Sequence, residues 1–262
     1  MRAARGVTRI PLLGGDGVLL APSTLIFVAL VIVAGYTVFG VTGFGASPIT
    51  IPLLVHVLPL TFVLPLAAIL DLGSALALGF HTRRQAHGRE LLTLVPFTLV
   101  GLALGVTLLV RLPRNATVLA LGLFVCAYAL YVVLRRDTTR RLSRRWAAAA
   151  GSVGGVLGAL FGMGGPPYVM YIAGRILDPA AQRATISQMV ILNVGLRVIA
   201  FALGGLLASH RLWTAAAILL PVAWIGVWIG HRIHVRLAPA TMARIIGAVL
   251  FVVGVALIVR TF

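Results

Sequence analysis

Residues 17 to 70 contain no Asp, Glu, Lys or Arg. So long a stretch cannot cover a water-facing surface, and it is not alone. Charge-free runs also cover 91–110, 115–134, 146–174, 212–231 and 245–259. A helix needs roughly 20 apolar residues to cross about 30 Å of hydrocarbon, and these runs supply them. A soluble domain carries about a quarter of its residues as charges; here the charged share is 10% and the hydrophobic share 60%. The fold class that follows is all-α: a polytopic transmembrane helical bundle in a lipid bilayer, multi-pass in the cell membrane.

The net charge of +17 would point to nucleic acid in a soluble protein. Here the basic residues, all of them Arg, sit between the apolar runs, where the positive-inside bias puts them. No nucleic-acid partner is therefore expected. Genomic base composition accounts for the absence of Lys more simply than function does. Cys126 stands alone in an apolar run, which excludes a disulfide and suits a small buried residue. The start of the chain makes a poor signal peptide, because Gly14-Gly15-Asp16-Gly17 splits its apolar region, so 1–23 reads as a tail.

The second half repeats the first. Gly43-Phe44-Gly45-Ala46-Ser47-Pro48 matches Gly162-Met163-Gly164-Gly165-Pro166-Pro167 at an offset of 119, and Ile69-Leu70-Asp71-Leu72-Gly73 matches Ile191-Leu192-Asn193-Val194-Gly195 at 122. Pro96, Gly101, Gly105, Val110-Arg111-Leu112, Gly122 and Arg135 then meet Pro221, Gly226, Gly230, Val235-Arg236-Leu237, Gly247 and Arg260 at 125. Chance likeness between apolar segments would not keep Gly, Pro and Arg in register. The expected organisation is a first transmembrane repeat over 24–134, an Arg-rich linker over 135–145 and a second repeat over 146–262. Each repeat opens with a long segment broken by Gly and Pro, at 24–58 and 147–175. Three plainer spans follow, at 62–80, 91–110 and 116–134, then at 185–208, 214–231 and 241–259. The linker holds six Arg and one Asp, which makes it the best cytoplasmic anchor. Counting back two spans puts the 81–90 loop, with Arg83, Arg84, Arg89 and Glu90, on the same side. Whether each broken segment crosses once or also turns back is open, giving about 8 to 10 membrane segments in a parallel or an inverted repeat.

The two breaks are the sharpest local signal. Glycine lets the backbone leave helical geometry, and proline suits the first turn of a new helix. A helix starting inside the membrane turns unpaired N–H groups and a partial positive charge toward its surroundings, which favours an anion. Unwound backbone at that depth is tolerated only inside protein or along a cavity, and matched breaks in two repeats point to a transporter's site. Tight packing through small residues is the plainer alternative. Thr42, Gly43, Phe44, Gly45 and Ser47, with Gly162, Met163, Gly164 and Gly165, are the substrate-binding candidates that result.

Arg197 lies within the charge-poor stretch 190–207, where an ionisable residue is costly and usually faces a pathway or a partner. Asn193, four residues earlier, shares its helical face. The corresponding first-repeat positions are Asp71 and Ala75. Two readings stand: Arg197 binds a substrate anion while Asp71 serves coupling, or the two form a structural ion pair. Ser187 and Gln188 are weaker hydrogen-bonding candidates. The histidines, His56, His81, His87, His210, His231 and His234, fall near span ends without metal-ligand spacing beside a carboxylate, so neither a metal nor a cofactor is expected. Trp213, Trp224 and Trp228 suit an aromatic belt or core.

On these residues the chain resembles the TauE/SafE-type sulfite exporter family of membrane anion permeases. That family is similar in its two related halves, each opening with a Gly-Phe-Gly-Gly-Gly type motif before Pro. It also has an acidic or amide residue in the next span and a basic loop between halves. The likeness runs from about 27 to 262 and departs at Ala46-Ser47, where a further glycine pair is usual, and at Pro166 beside Pro167. It implies transport of sulfite, sulfonates or related small organic anions, driven by the proton or electrical gradient. The competing classes are a membrane subunit that works only with a partner protein and an intramembrane enzyme. Glu90 is the only Glu, too few for a metalloprotease, and Ser47 sits in a duplicated motif whose mate is Pro166. The expectation is therefore a transporter and not an enzyme. Whether it acts as a homodimer is open.

Overall fold

The computed structural model describes residues 22–42, 45–78, 86–134, 142–232 and 239–261. Among them are ten helices: α1 Pro22–Thr42, α2 Ser47–Leu54, α3 Leu60–Leu78, α4 Gly88–Arg111, α5 Arg114–Leu134, α6 Trp146–Phe161, α7 Gly165–Arg175, α8 Pro179–Leu203, α9 His210–Arg232 and α10 Pro239–Thr261. Proline opens several of them, where a missing N–H costs nothing, and the Asp178 side chain caps α8 by accepting from Ala181 N at 2.8 Å. Five helices are long and apolar enough to cross a membrane. Leu92, Leu203 and Val259 are each more than two-thirds exposed, as side chains are when lipid is the outer solvent. The protein is a polytopic helical membrane protein.

Both Gly/Pro segments are interrupted. α1 ends at Thr42 and α2 starts at Ser47, while α6 ends at Phe161 and α7 starts at Gly165. The second pair is a hairpin that leaves the bundle on the side where it entered. Leu142, just before α6, donates its N–H to Gly174 O near the end of α7 at 2.9 Å, and a β-carbon on Gly154 of α6 would strike the Tyr168 ring of α7. α2 runs back along α1 in the same way, with Thr50 and Ala46 against Gly35, which is 119 residues before Gly154.

The same contacts decide the sense of the repeat, which the sequence leaves open. Glu90 at the start of α4 meets Arg144 before α6 and Arg175 at the end of α7. His87 N, at the head of α4, donates to Thr185 Oγ1 near the head of α8 at 2.9 Å. α4, α6 and α8 therefore all begin on one face. α9 follows α8 across a short turn and so begins on the other face. Its repeat mate α4 does not, so the two halves run in opposite senses: the repeat is inverted.

The halves are interleaved. α1 packs on α9, α6 packs on α4, α3 meets α8, and α5 meets α10. The duplicated glycines sit at these crossings. A β-carbon on Gly101 of α4 would collide with Ser152 O of α6, and one on Gly226 of α9 would lie 2.8 Å from Val33 O of α1. Glycine allows backbones to approach this closely, and dispersion between them replaces the hydrophobic drive that lipid removes. Glu90, expected in a loop, instead sits in the first turn of α4 and is 7% exposed, because the cluster of Arg144, Arg175 and Tyr171 supplies its hydrogen bonds.

Candidate functional site

The two breaks meet at one buried ion pair. Arg197 on α8 is 1% exposed and donates from Nη2 to Asp71 Oδ2 on α3 at 3.0 Å. Its Nη1 reaches Gly158 O of α6 at 3.4 Å. Asp71 also accepts from the Ser47 hydroxyl at 2.5 Å and, through Oδ1, from the Tyr36 hydroxyl at 2.8 Å. α1, α2 and α8 thus each contribute a bond to one carboxylate, which α3 carries. Transferring an unpaired charge from water to such a place is prohibitive, so the pair and its hydroxyls must be set together.

Gly162 caps α6 in the left-handed region at φ 69°, and a β-carbon there would sit 3.1 Å from both Arg197 Nη1 and Ser47 Cβ. The second break is thus pressed against the first-break serine and the arginine at once. Gly164 lies against the Asn193 amide and the Tyr168 ring. Gly45 (φ 93°) and Gly165 face open space instead. Met163 is buried in the apolar core. Thr42 is the last residue of α1, and Gly43 and Phe44 lie outside the described residues. Asn193 is on the buried face of α8 with Arg197, as the four-residue spacing requires. Ser47, Gly162, Gly164, Asp71, Asn193 and Arg197 therefore converge.

Amide donors are fewer than two broken helices suggest. Pro48, Pro166 and Pro167 carry no N–H, so the first turn of α7 lacks two donors and that of α2 lacks one. The fixed positive charge of the site is carried by Arg197.

Over residues 27–257 the chain matches the family model described as sulfite exporter TauE/SafE. The chain belongs to this family. It is also 26% identical over 178 residues to the probable inner membrane transporter protein TsaS of Comamonas testosteroni, covering 66% of this chain and 73% of that one. No solved structure matches. The protein is thus a membrane transporter of the TauE/SafE family, multi-pass in the cell membrane.

Tyr36, Thr98, Tyr168 and Gly158 O lie among these candidate residues without having been singled out from the sequence. Tyr36 had a signal: a phenol within a charge-free run needs a partner for its hydroxyl. Thr98 had none, since threonine in a membrane helix commonly bonds its own backbone. Among the described residues no group of three or more His, Cys, Asp or Glu gathers for a metal ion.

Proposed function

We propose that the chain carries a small sulfur oxyanion, sulfite or an organosulfonate, with Arg197 as the cation that holds it and Asp71 as the group that couples it to the proton gradient. One observation carries the reading: Arg197 is fully buried between both breaks and its charge is cancelled by Asp71. An anion reaching Arg197 competes with that carboxylate. A proton on Asp71 removes the competitor and leaves a buried, uncompensated guanidinium, which then favours an anion. Proton and monovalent anion together restore neutrality, so the loaded site is as uncharged as the empty one. The neutral states are the ones that can move across a low-dielectric core, and this makes the two species travel together. The open space at Gly45 and Gly165 lies at the breaks, where each half would admit the anion from its own side.

The face on which α4, α6 and α8 begin is read as cytoplasmic, by the run of arginines that precedes α6 in the sequence. All the groups named come from one chain, so the reading needs neither a second copy nor a partner subunit.

Purified protein in liposomes tests it. Sulfite or methanesulfonate flux should rise with an imposed proton gradient and vanish in Arg197→Ala. In Asp71→Asn flux should persist at a reduced rate without responding to the gradient. Unaltered flux in Arg197→Ala ends this reading. Dimethyl sulfone, a neutral analogue, should neither stabilise the protein nor compete.

A further inference from the structure

Buried polar atoms without a hydrogen-bond partner gather around the second break. They are Thr98 Oγ1 on α4, the Tyr168 hydroxyl on α7, Asn193 Oδ1 and Arg197 Nε on α8. These residues are between 0% and 6% exposed. A buried hydroxyl left unbonded destabilises the fold, so a set of them needs a reason.

Their placement supplies one. The Asn193 amide and the Tyr168 ring both flank Gly164, and the Tyr168 hydroxyl rests by Gly154. Thr98 lies near enough to that hydroxyl to interact with it, yet neither oxygen meets the geometry of a full hydrogen bond within the protein. Arg197 Nη1 is bonded to Gly158 O, one helical turn from Gly154. Gly165, one residue past Gly164, opens on free space. We propose that Thr98 and Tyr168 are ligand-binding residues: their hydroxyls and Arg197 Nε form a wall of donors for the oxygens of a pyramidal or tetrahedral oxyanion. A planar carboxylate has only two oxygens to offer, whereas a sulfite or sulfonate presents three, one for each donor. Charge-assisted bonds of this kind are the strong ones, and no acceptor of the protein competes with the anion for these donors. The inference rests on Arg197 being the anion's cation and adds the residues that select its shape.

Tyr168→Phe and Thr98→Val remove the hydroxyls with almost no change of volume. In the purified full chain, the melting temperature without anion should stay the same or rise in both, because no bond is lost. Affinity for sulfite and methanesulfonate, read by thermal shift and calorimetry, should fall about tenfold or more in each, with acetate affected less. Unchanged sulfite affinity in both variants overturns the proposal. So does a melting temperature that drops by several degrees without anion, which would make the hydroxyls part of a structural water network. If Arg197→Ala abolishes binding while both hydroxyl variants bind normally, the transport reading survives and this inference alone falls. If the wild-type protein binds neither anion, both fall.

Discussion

The first and second breaks occupy corresponding places in an inverted repeat, yet the polar side chains beside one are mostly hydrogen-bonded and several beside the other are not. At the first break, Asp71 takes bonds from Tyr36, Ser47 and Arg197; Ser74 Oγ, one turn further along α3, is the nearby exception without a partner. At the second break the mate of Asp71 is Asn193, the mate of Ser47 is Pro166 and the mate of Tyr36 is Gly155. The carboxylate and both hydroxyls are gone together, and Asn193 Oδ1, Thr98 and Tyr168 are left without partners. The two halves share a frame, but one break adjoins an electrostatic lock and the other a set of unpartnered buried polar atoms. The second hairpin is instead fastened at the membrane face, where Glu90 Oε2 accepts from Tyr171 at 2.6 Å and Oε1 from Arg175 at 3.0 Å.

The largest expected effect tests the lock. Asp71→Leu leaves Arg197 as an uncompensated buried charge and should cost about 3–5 kcal/mol of unfolding free energy. The double variant Asp71→Leu, Arg197→Met should regain most of that while transporting nothing. Denaturation in detergent measures the first, and liposome flux the second; no rescue in the double variant would mean the lock is not chiefly electrostatic.

Next comes a contrast between two glycines three residues apart. Gly162→Ala should destabilise by about 1–3 kcal/mol, since it forces a side chain into left-handed geometry and against Ile51, Arg197 and Ser47. Gly165→Ala should change stability by less than about 0.5 kcal/mol but weaken anion binding, because its methyl occupies the open space. Equal effects on stability would erase the distinction between a packed and an open part of the second break.

Asn193→Asp makes the second break resemble the first. A carboxylate added near Arg197 should lower sulfite affinity about tenfold, or roughly 1.4 kcal/mol, as binding measurements would read directly. The smallest effect is at the face. Glu90→Gln should cost no more than about 1 kcal/mol, because the Arg144 and Arg175 side chains remain 39% and 30% exposed and solvated. Its melting temperature should fall slightly, more so at low salt.

Much of this protein is legible in its sequence. Charge-free runs impose helices, because a backbone in lipid must satisfy its own hydrogen bonds. The paired Gly-Pro motifs locate the interruptions, and the four-residue spacing puts Asn193 and Arg197 on one face. The pairing of Asp71 with Arg197 is only one of two readings the sequence allows, since they are 126 residues apart and nothing local joins them. Tyr36 and Thr98 were not seen, because a hydroxyl's meaning depends on what faces it.

Local composition, with the bilayer acting as a uniform solvent, dictates the membrane, the helices and the two breaks, and the register of Gly, Pro and Arg between the halves gives the repeat. Only the tertiary structure decided that the repeat is inverted, that each half lays its broken helix on the other, and that one buried carboxylate holds Arg197. Those facts concern which distant groups meet. In a chain whose helices are all apolar, meeting is settled by glycine-to-backbone fit and by a few buried charges that can be satisfied in one arrangement.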